Sequence, residues 1–418
     1  MRRLATLLLP LLLVAACDQE EPVGIGSGLL PGAPVTTFTV TLDPADYLLL
    51  DTAFAVYGSI EPAMFNLLAR DFDGALNAHT FARFTLPTAI AVVDSAGIAR
   101  TDSTPTFVRG EILLVPDTAA TTAPTPLRVA VYRMGESWDP AVADWRLRRA
   151  GEPWAVPGGT PGVLVDTAVY VPGDTVRLHV DSATMAAWAN LTDETRGALI
   201  TLLDAPARMR TTVARLRVYS RSSWHPDTLF TTIANAPDTR FVYDPRADSV
   251  AAGVRYNGTP GWRSFLRFRS DLAGLTFPCG PGCTAALRDV DVTRAELLLQ
   301  PQTPPPGFTP ELPTSPIAYS SLVTPQIPLA RSPLGIAIGT TTAPLTLDDY
   351  RDDADPVALV VTQFVRQLVG DTTTDFSTGR SEWLTIIAGA PQTFGFGQFA
   401  PGPRLRLVLT TAREVQLP

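Results

Sequence analysis

The chain has 418 residues, of which 45% are apolar and 18% charged, and a formal charge of −8. That supplies apolar material for two or three domain cores and excludes extended disorder. All 33 basic residues are arginine, and so acidic a chain lacks both the basic footprint of nucleic-acid binding and a polybasic attachment to anionic lipid.

Residues 1–16 begin with Arg2 and Arg3 and continue as LATLLLPLLLVAA, an apolar run too short to cross a hydrocarbon core of about 30 Å as a helix. The run ends in VAAC, which resembles a bacterial lipobox with Cys17 as the lipidated residue. The expectation is a signal peptide cleaved before Cys17, with acyl chains on that residue as the membrane anchor. Loss of Arg2 and Arg3 takes the charge from −8 to −10. Asp18 resembles an inner-membrane retention signal, but that rule differs between phyla, so the inner and outer membranes both stay open. Residues 17–35, polar and then rich in Gly and Pro, read as a flexible tether.

From residue 36 onward, alternating runs separated by turn clusters predict strands at 36–42, 79–86, 107–115, 126–134, 174–181, 197–205 and 213–221. Two stretches read as helical. One is EPAMFNLLARDF (61–72); the other is DSATMAAWAN (181–190), which Asp181 or Ser182 can cap. The second half replays this order. Residues 261–272 match 77–88, 292–301 match 107–116, and 355–371 match the strand and helix of 174–190; 382–390 match 197–205, and 403–411 match 213–221. Five segments matched in one order indicate two homologous β-domains, drawn here as 36–228 and 229–418. The proline-rich 300–316 reads as an extended surface segment. The expected fold is all-β, two tandem jelly-roll-like β-sandwiches with a few short helices.

Residues 135–159, GESWDPAVADWRLRRAGEPWAVPGG, hold Trp138, Trp145 and Trp154, and the chain has seven tryptophans in all. Together with the strands Phe81–Leu86 and Gly110–Val115, VRLHVDSATMAAWAN, ETRGALITLL and RLRVYSRSS, this segment carries a resemblance over residues 77–222. The first domain resembles the DNRLRE family of bacterial surface modules, part of which is classed as carbohydrate-binding. The polar motif that names that family is missing here, and the second domain keeps only the outline. The resemblance implies a jelly-roll sandwich and a surface binding role.

Trp138, Trp145 and Trp154, with Asp139, Asp144, Arg146 and Glu152 beside them, form a candidate ligand platform. The competing expectation is that the indoles cover a core, the commoner use of large aromatics, and Trp188 reads as a core plug. Cys279 and Cys283 in CGPGC are a candidate disulfide pair. No catalytic residues stand out. His79, His179 and His225 lie in unrelated segments, and no G-x-S-x-G elbow exists. DDYRDDADP (348–356) and RDFDGAL (70–76) depart from an EF-hand loop, which leaves at most a structural calcium ion and otherwise no metal or cofactor. The expectation is therefore an exported, acyl-anchored lipoprotein with a non-catalytic binding, structural or adhesive role. Its partners are the membrane through its anchor and either a polysaccharide or another envelope protein. A glycan-binding surface protein is the alternative, and an envelope hydrolase is a third reading.

Overall fold

A computed structural model describes residues 36–55, 65–93, 96–122, 126–245, 250–259, 261–280, 282–370, 381–389 and 394–411. Antiparallel sheets dominate, and the fold is all-β. The strands that build the sandwiches are β1 (Thr37–Leu42), β2 (Leu48–Phe54), β3 (Phe65–Phe72), β4 (Leu76–Ala82), β5 (Thr106–Leu114), β6 (Leu127–Met134), β7 (Pro161–Tyr170), β8 (Val176–Asp181), β9 (Ala198–Leu202), β10 (Ala207–Thr212), β11 (Arg215–Arg221), β12 (Leu229–Ala234) and β13 (Arg240–Asp244). They continue as β14 (Val254–Thr259), β15 (Arg263–Phe268), β16 (Asp291–Leu299), β17 (Pro316–Ser321), β18 (Leu334–Thr340), β19 (Val357–Val360), β20 (Trp383–Ala388), β21 (Gly395–Phe399) and β22 (Arg404–Thr410). The α-helices are α1 (Pro44–Tyr47), α2 (Ser182–Ala189) and α3 (Thr362–Val369).

In the first sandwich, a four-stranded sheet in the order β8-β5-β11-β12 faces a seven-stranded one, β7-β6-β9-β4-β3-β10 with β13 also on β4. Their inward positions alternate along each strand, as on β8, where Val176, Leu178 and Val180 are buried and the residues between them exposed. The core collects Ile112, Leu114, Val129, Leu178, Leu216 and Val218, with Trp188 of α2 at one end. Asp181 caps α2 by accepting a 2.7 Å bond from the Thr184 amide, as the sequence pattern suggests.

The second sandwich repeats the plan. Here β19-β16-β22-β1 faces a six-stranded sheet containing β2-β15-β20-β17-β18, around Leu266, Phe268, Leu297, Leu407 and Leu409. Its helix α3 occupies the place of α2 and ends on Gly370, whose φ of 94° is the left-handed conformation that glycine accepts readily.

The N-terminal strands do not join the body that follows them. β1 pairs with β22, the last strand, from Thr37 opposite Thr410 to Leu42 opposite Leu405. β2 pairs with β15. Leu42 and Tyr47 are buried in the second core, and the Gly402 amide donates to the Asp51 carboxylate at 2.7 Å. The strands in the corresponding positions of the first sandwich are β12, paired with β11, and β13, paired with β4. Residues 36–55 thus complete the second sandwich, and residues 229–244 complete the first. This corrects the boundary drawn at 228/229, because an alternating strand shows that one face is buried but does not name the sheet that buries it.

A second correction concerns 61–72. Residues 65–72 form strand β3, between β4 and β10. Phe65 to Ala69 are buried without interruption, so the two-residue period that marks a half-exposed strand is absent. Residues 61–64 lie outside the described residues.

Candidate functional site

The tryptophan segment leaves β6 at Met134, returns at Pro161 in β7, and lies over the outer face of β4. Strand alternation turns His79, Phe81 and Arg83 toward that face. Each meets an indole. Trp145 packs on the His79 ring at 4.9 Å, Trp138 and Trp154 meet Phe81 edge-on at 5.5 and 5.3 Å, and the Arg83 guanidinium lies 4.7 Å over Trp138. Trp138 and Trp154 keep 2% and 5% of their surface, and Trp145 is half-buried.

The polar atoms of the segment are engaged as well. The Trp154 indole donates to the Asp144 carbonyl at 2.9 Å, the Asp144 carboxylate accepts the Arg146 and Leu147 amides, and Asp139 accepts the Ala141 amide. Glu152 pairs with Arg148. His79 donates from Nδ1 to the Gly158 carbonyl at 2.7 Å, and burial lowers its pKa. Gly158 and Gly159, with φ of 84° and 100°, let the backbone run against the Trp145 and Phe81 rings, where an added Cβ would lie within 2.7 Å of ring carbons. Trp138 and Trp154 are spent on covering Phe81, and Trp145 is held between the His79 ring and the Gly158 backbone, so the segment is a lid of packed aromatics more than an open stacking platform.

Of the other sequence candidates, Cys17 lies outside the described residues. Cys279 and Cys283 form a disulfide across a short hairpin (Thr276–Gly280 with Cys283–Ala286). Among the described residues no three His, Cys, Asp or Glu side chains converge as metal ligands. The Asp73 carboxylate instead accepts the Gly307 amide at 3.1 Å, and Asp349 caps the turn at Thr346. His179 pairs with Asp166 on the surface, 3.2 Å apart, while His79 and His225 sit in other parts of the first sandwich.

Two arrangements went unseen at the sequence level. The first is the seam between the sandwiches. Phe65, Phe241 and Tyr243 of the first body meet Phe308 and Phe394 from the second half of the chain, with ring centroids 5.2–6.3 Å apart. Beside them the proline-rich segment delivers Glu311, whose side chain is wholly buried and receives Arg210 at 2.8 Å with Arg208 at 3.9 Å. The two guanidiniums lie over Phe72 and Phe65 at 4.4 and 4.3 Å. Burial raises the Glu311 pKa against the pull of both arginines. No motif announces this contact, since its partners are 101 residues apart.

The second is a pattern present in both sandwiches. On the outer face of each four-stranded sheet a glutamate sits between arginines. Glu111 pairs with Arg109 and Arg217, each at 3.2 Å, and Glu296 pairs with Arg294 and Arg406. The signal lay in the matched segments, VRGEILL with TRAELLL and ARLRV with PRLRL. Both glutamates are nearly buried beneath their arginines, so this triad ties the centre of each sheet together.

No family model matches the chain, and no curated protein does. Among solved structures, the Streptococcus agalactiae AgI/II polypeptide BspA C-terminal domain aligns over 78% of this chain and 90% of its own, at 8% identity and a TM-score of 0.10. A likeness that low carries no argument about fold or function.

Proposed function

We propose that the protein is an acyl-anchored lipoprotein of the bacterial envelope, held by Cys17, with a non-catalytic binding or structural role. The resemblance of its first sandwich to the DNRLRE surface modules points the same way. The observation that carries this reading is how the chain closes on itself. The strand that follows the tether, β1, is zipped along its whole length to the last strand, β22, and the Thr36 amide and carbonyl reach Thr411 beyond it. An anchor on Cys17 therefore leads into a paired strand of a sandwich, as suits a body held at a surface. Of the groups nearest to a catalytic or stacking set, Trp138, Trp154 and Glu311 are engaged in packing.

Membrane fractionation tests the anchor. The wild-type protein is expected in the membrane fraction and a Cys17→Ser variant in the soluble one; unchanged partitioning sinks the reading. The glycan-binding alternative keeps one foothold in Trp224, which is 48% exposed beside Ser223. A glycan array on residues 36–418 with Trp224→Ala as control decides it, and signals equal in the two proteins remove that reading.

A further inference from the structure

The outer face of the four-stranded sheet in the first sandwich forms a grid whose rows are set by register. One row is Arg177, Leu113 and Arg215, the next is His179, Glu111 and Arg217, and the third is Asp181, Arg109 and Tyr219. Glu111 occupies Arg109 and Arg217. Arg177 and Arg215 flank Leu113 from either side, about 10 Å apart at their backbones from two strand spacings. Neither makes an ion pair or side-chain hydrogen bond with the described residues, and both are exposed. Around this row lies a cleft of about 260 Å³. Its floor is apolar, built from Leu113, Val115 and Val213, and Thr175 and Thr212 place hydroxyls at its rim.

The second sandwich supplies an internal comparison. It keeps the structural triad of Arg294, Glu296 and Arg406. The row beside it reads Ala358, Leu298 and Arg404, so the counterpart of Arg177 is an alanine. The same register puts Gln300 where Val115 stands and Gly402 where Val213 stands. The triad is thus what the sheet needs in both bodies, whereas the arginine pair and its apolar floor belong to the first body alone.

We infer that this cleft binds an amphipathic oxyanion, a phosphate or carboxylate head joined to a short apolar body. Two guanidinium forks without internal partners offer paired donors to an oxyanion, and the threonine hydroxyls add neutral ones. The aliphatic floor between them receives the apolar portion, which a fully hydrated anion lacks. In a chain of net charge −8, two uncompensated arginines on one exposed row give a local attraction that the rest of the surface opposes. The site does not depend on the membrane anchor, so it stands or falls apart from it.

Isothermal titration of residues 36–418 with n-octyl phosphate below its micelle concentration tests the inference, with inorganic phosphate and n-octyl glucoside as companion probes. Octyl phosphate is expected to bind, inorganic phosphate to bind at least tenfold more weakly, and octyl glucoside not to bind. Arg177→Ala with Arg215→Ala is expected to weaken octyl phosphate at least tenfold, and Arg404→Ala on the second sandwich to leave it unchanged. Both arginines are exposed, so an unaltered near-ultraviolet circular dichroism spectrum certifies the fold. The inference is overturned by failure of wild type to bind octyl phosphate, by equal binding to the double variant, or by octyl glucoside binding as tightly, which would reveal apolar adsorption alone.

Discussion

Replacing Phe81 by alanine removes the ring on which two of the three clustered tryptophans rest. Phe81 has no exposed surface and lies on the outer face of β4, separated from the main sandwich core, with Trp138 and Trp154 edge-on at 5.5 and 5.3 Å. Removing a buried phenylalanine ring costs about 3–5 kcal/mol, a range that contains the two aromatic pairs at about 0.5–1.5 kcal/mol each. The lid is braced internally by backbone bonds at Gly135, Asp139, Trp154 and Gly158 and held to the sheet by Arg83 on the Trp138 carbonyl and His79 on the Gly158 carbonyl, so it cannot collapse fully into the gap, which favours the upper half of the range. Urea unfolding followed by circular dichroism should show that loss, and tryptophan emission of the folded variant should shift to the red. A loss below about 1 kcal/mol with unchanged emission would refute the packing of the lid on Phe81 and reopen the platform.

Four further outcomes follow from the same contacts. Leu42→Asp places a charge in the second core although residue 42 lies near the chain's start, so hydrogen exchange should quicken at 291–299 and 404–410 and not at 106–114; the reverse pattern would deny the strand exchange. Glu311→Ala leaves Arg208 and Arg210 buried without their carboxylate and should cost about 3–5 kcal/mol by calorimetry, with Glu311→Gln between the two. Ser222, Thr104 and Ser223 hold the Asp102 carboxyl well below the usual carboxylate range. A depressed pKa contributes stability that is present above the unfolded value of about 3.9 and lost as pH falls toward the folded one, so Asp102→Asn should flatten the acid limb of a stability–pH curve. The Cys279–Cys283 disulfide closes a loop with a sequence separation of only four residues, so its reduction should lower stability by less than about 3 kcal/mol by calorimetry.

Local chemistry was legible residue by residue. Alternation marked β1, β5, β6, β8 and β11, the Asp181 cap located α2, and the matched segments revealed that the chain repeats itself. The same matches already held the two glutamate–arginine triads, visible once the sheet register is known. What alternation cannot convey is the identity of the partner. TFTVTL states that Phe38, Val40 and Leu42 share a buried face, yet either sandwich offers a four-stranded sheet with a place for such a strand. Closing a longer loop costs little more than closing a short one, since the entropy grows only as the logarithm of length. The choice of the distant sheet was therefore made by packing, which seats Leu42 and Tyr47 in the second core. The tryptophans obey the same division. Their number and spacing were written in the sequence, but whether an indole face stays open depends on what lies beneath it, and only the tertiary structure places Phe81 there.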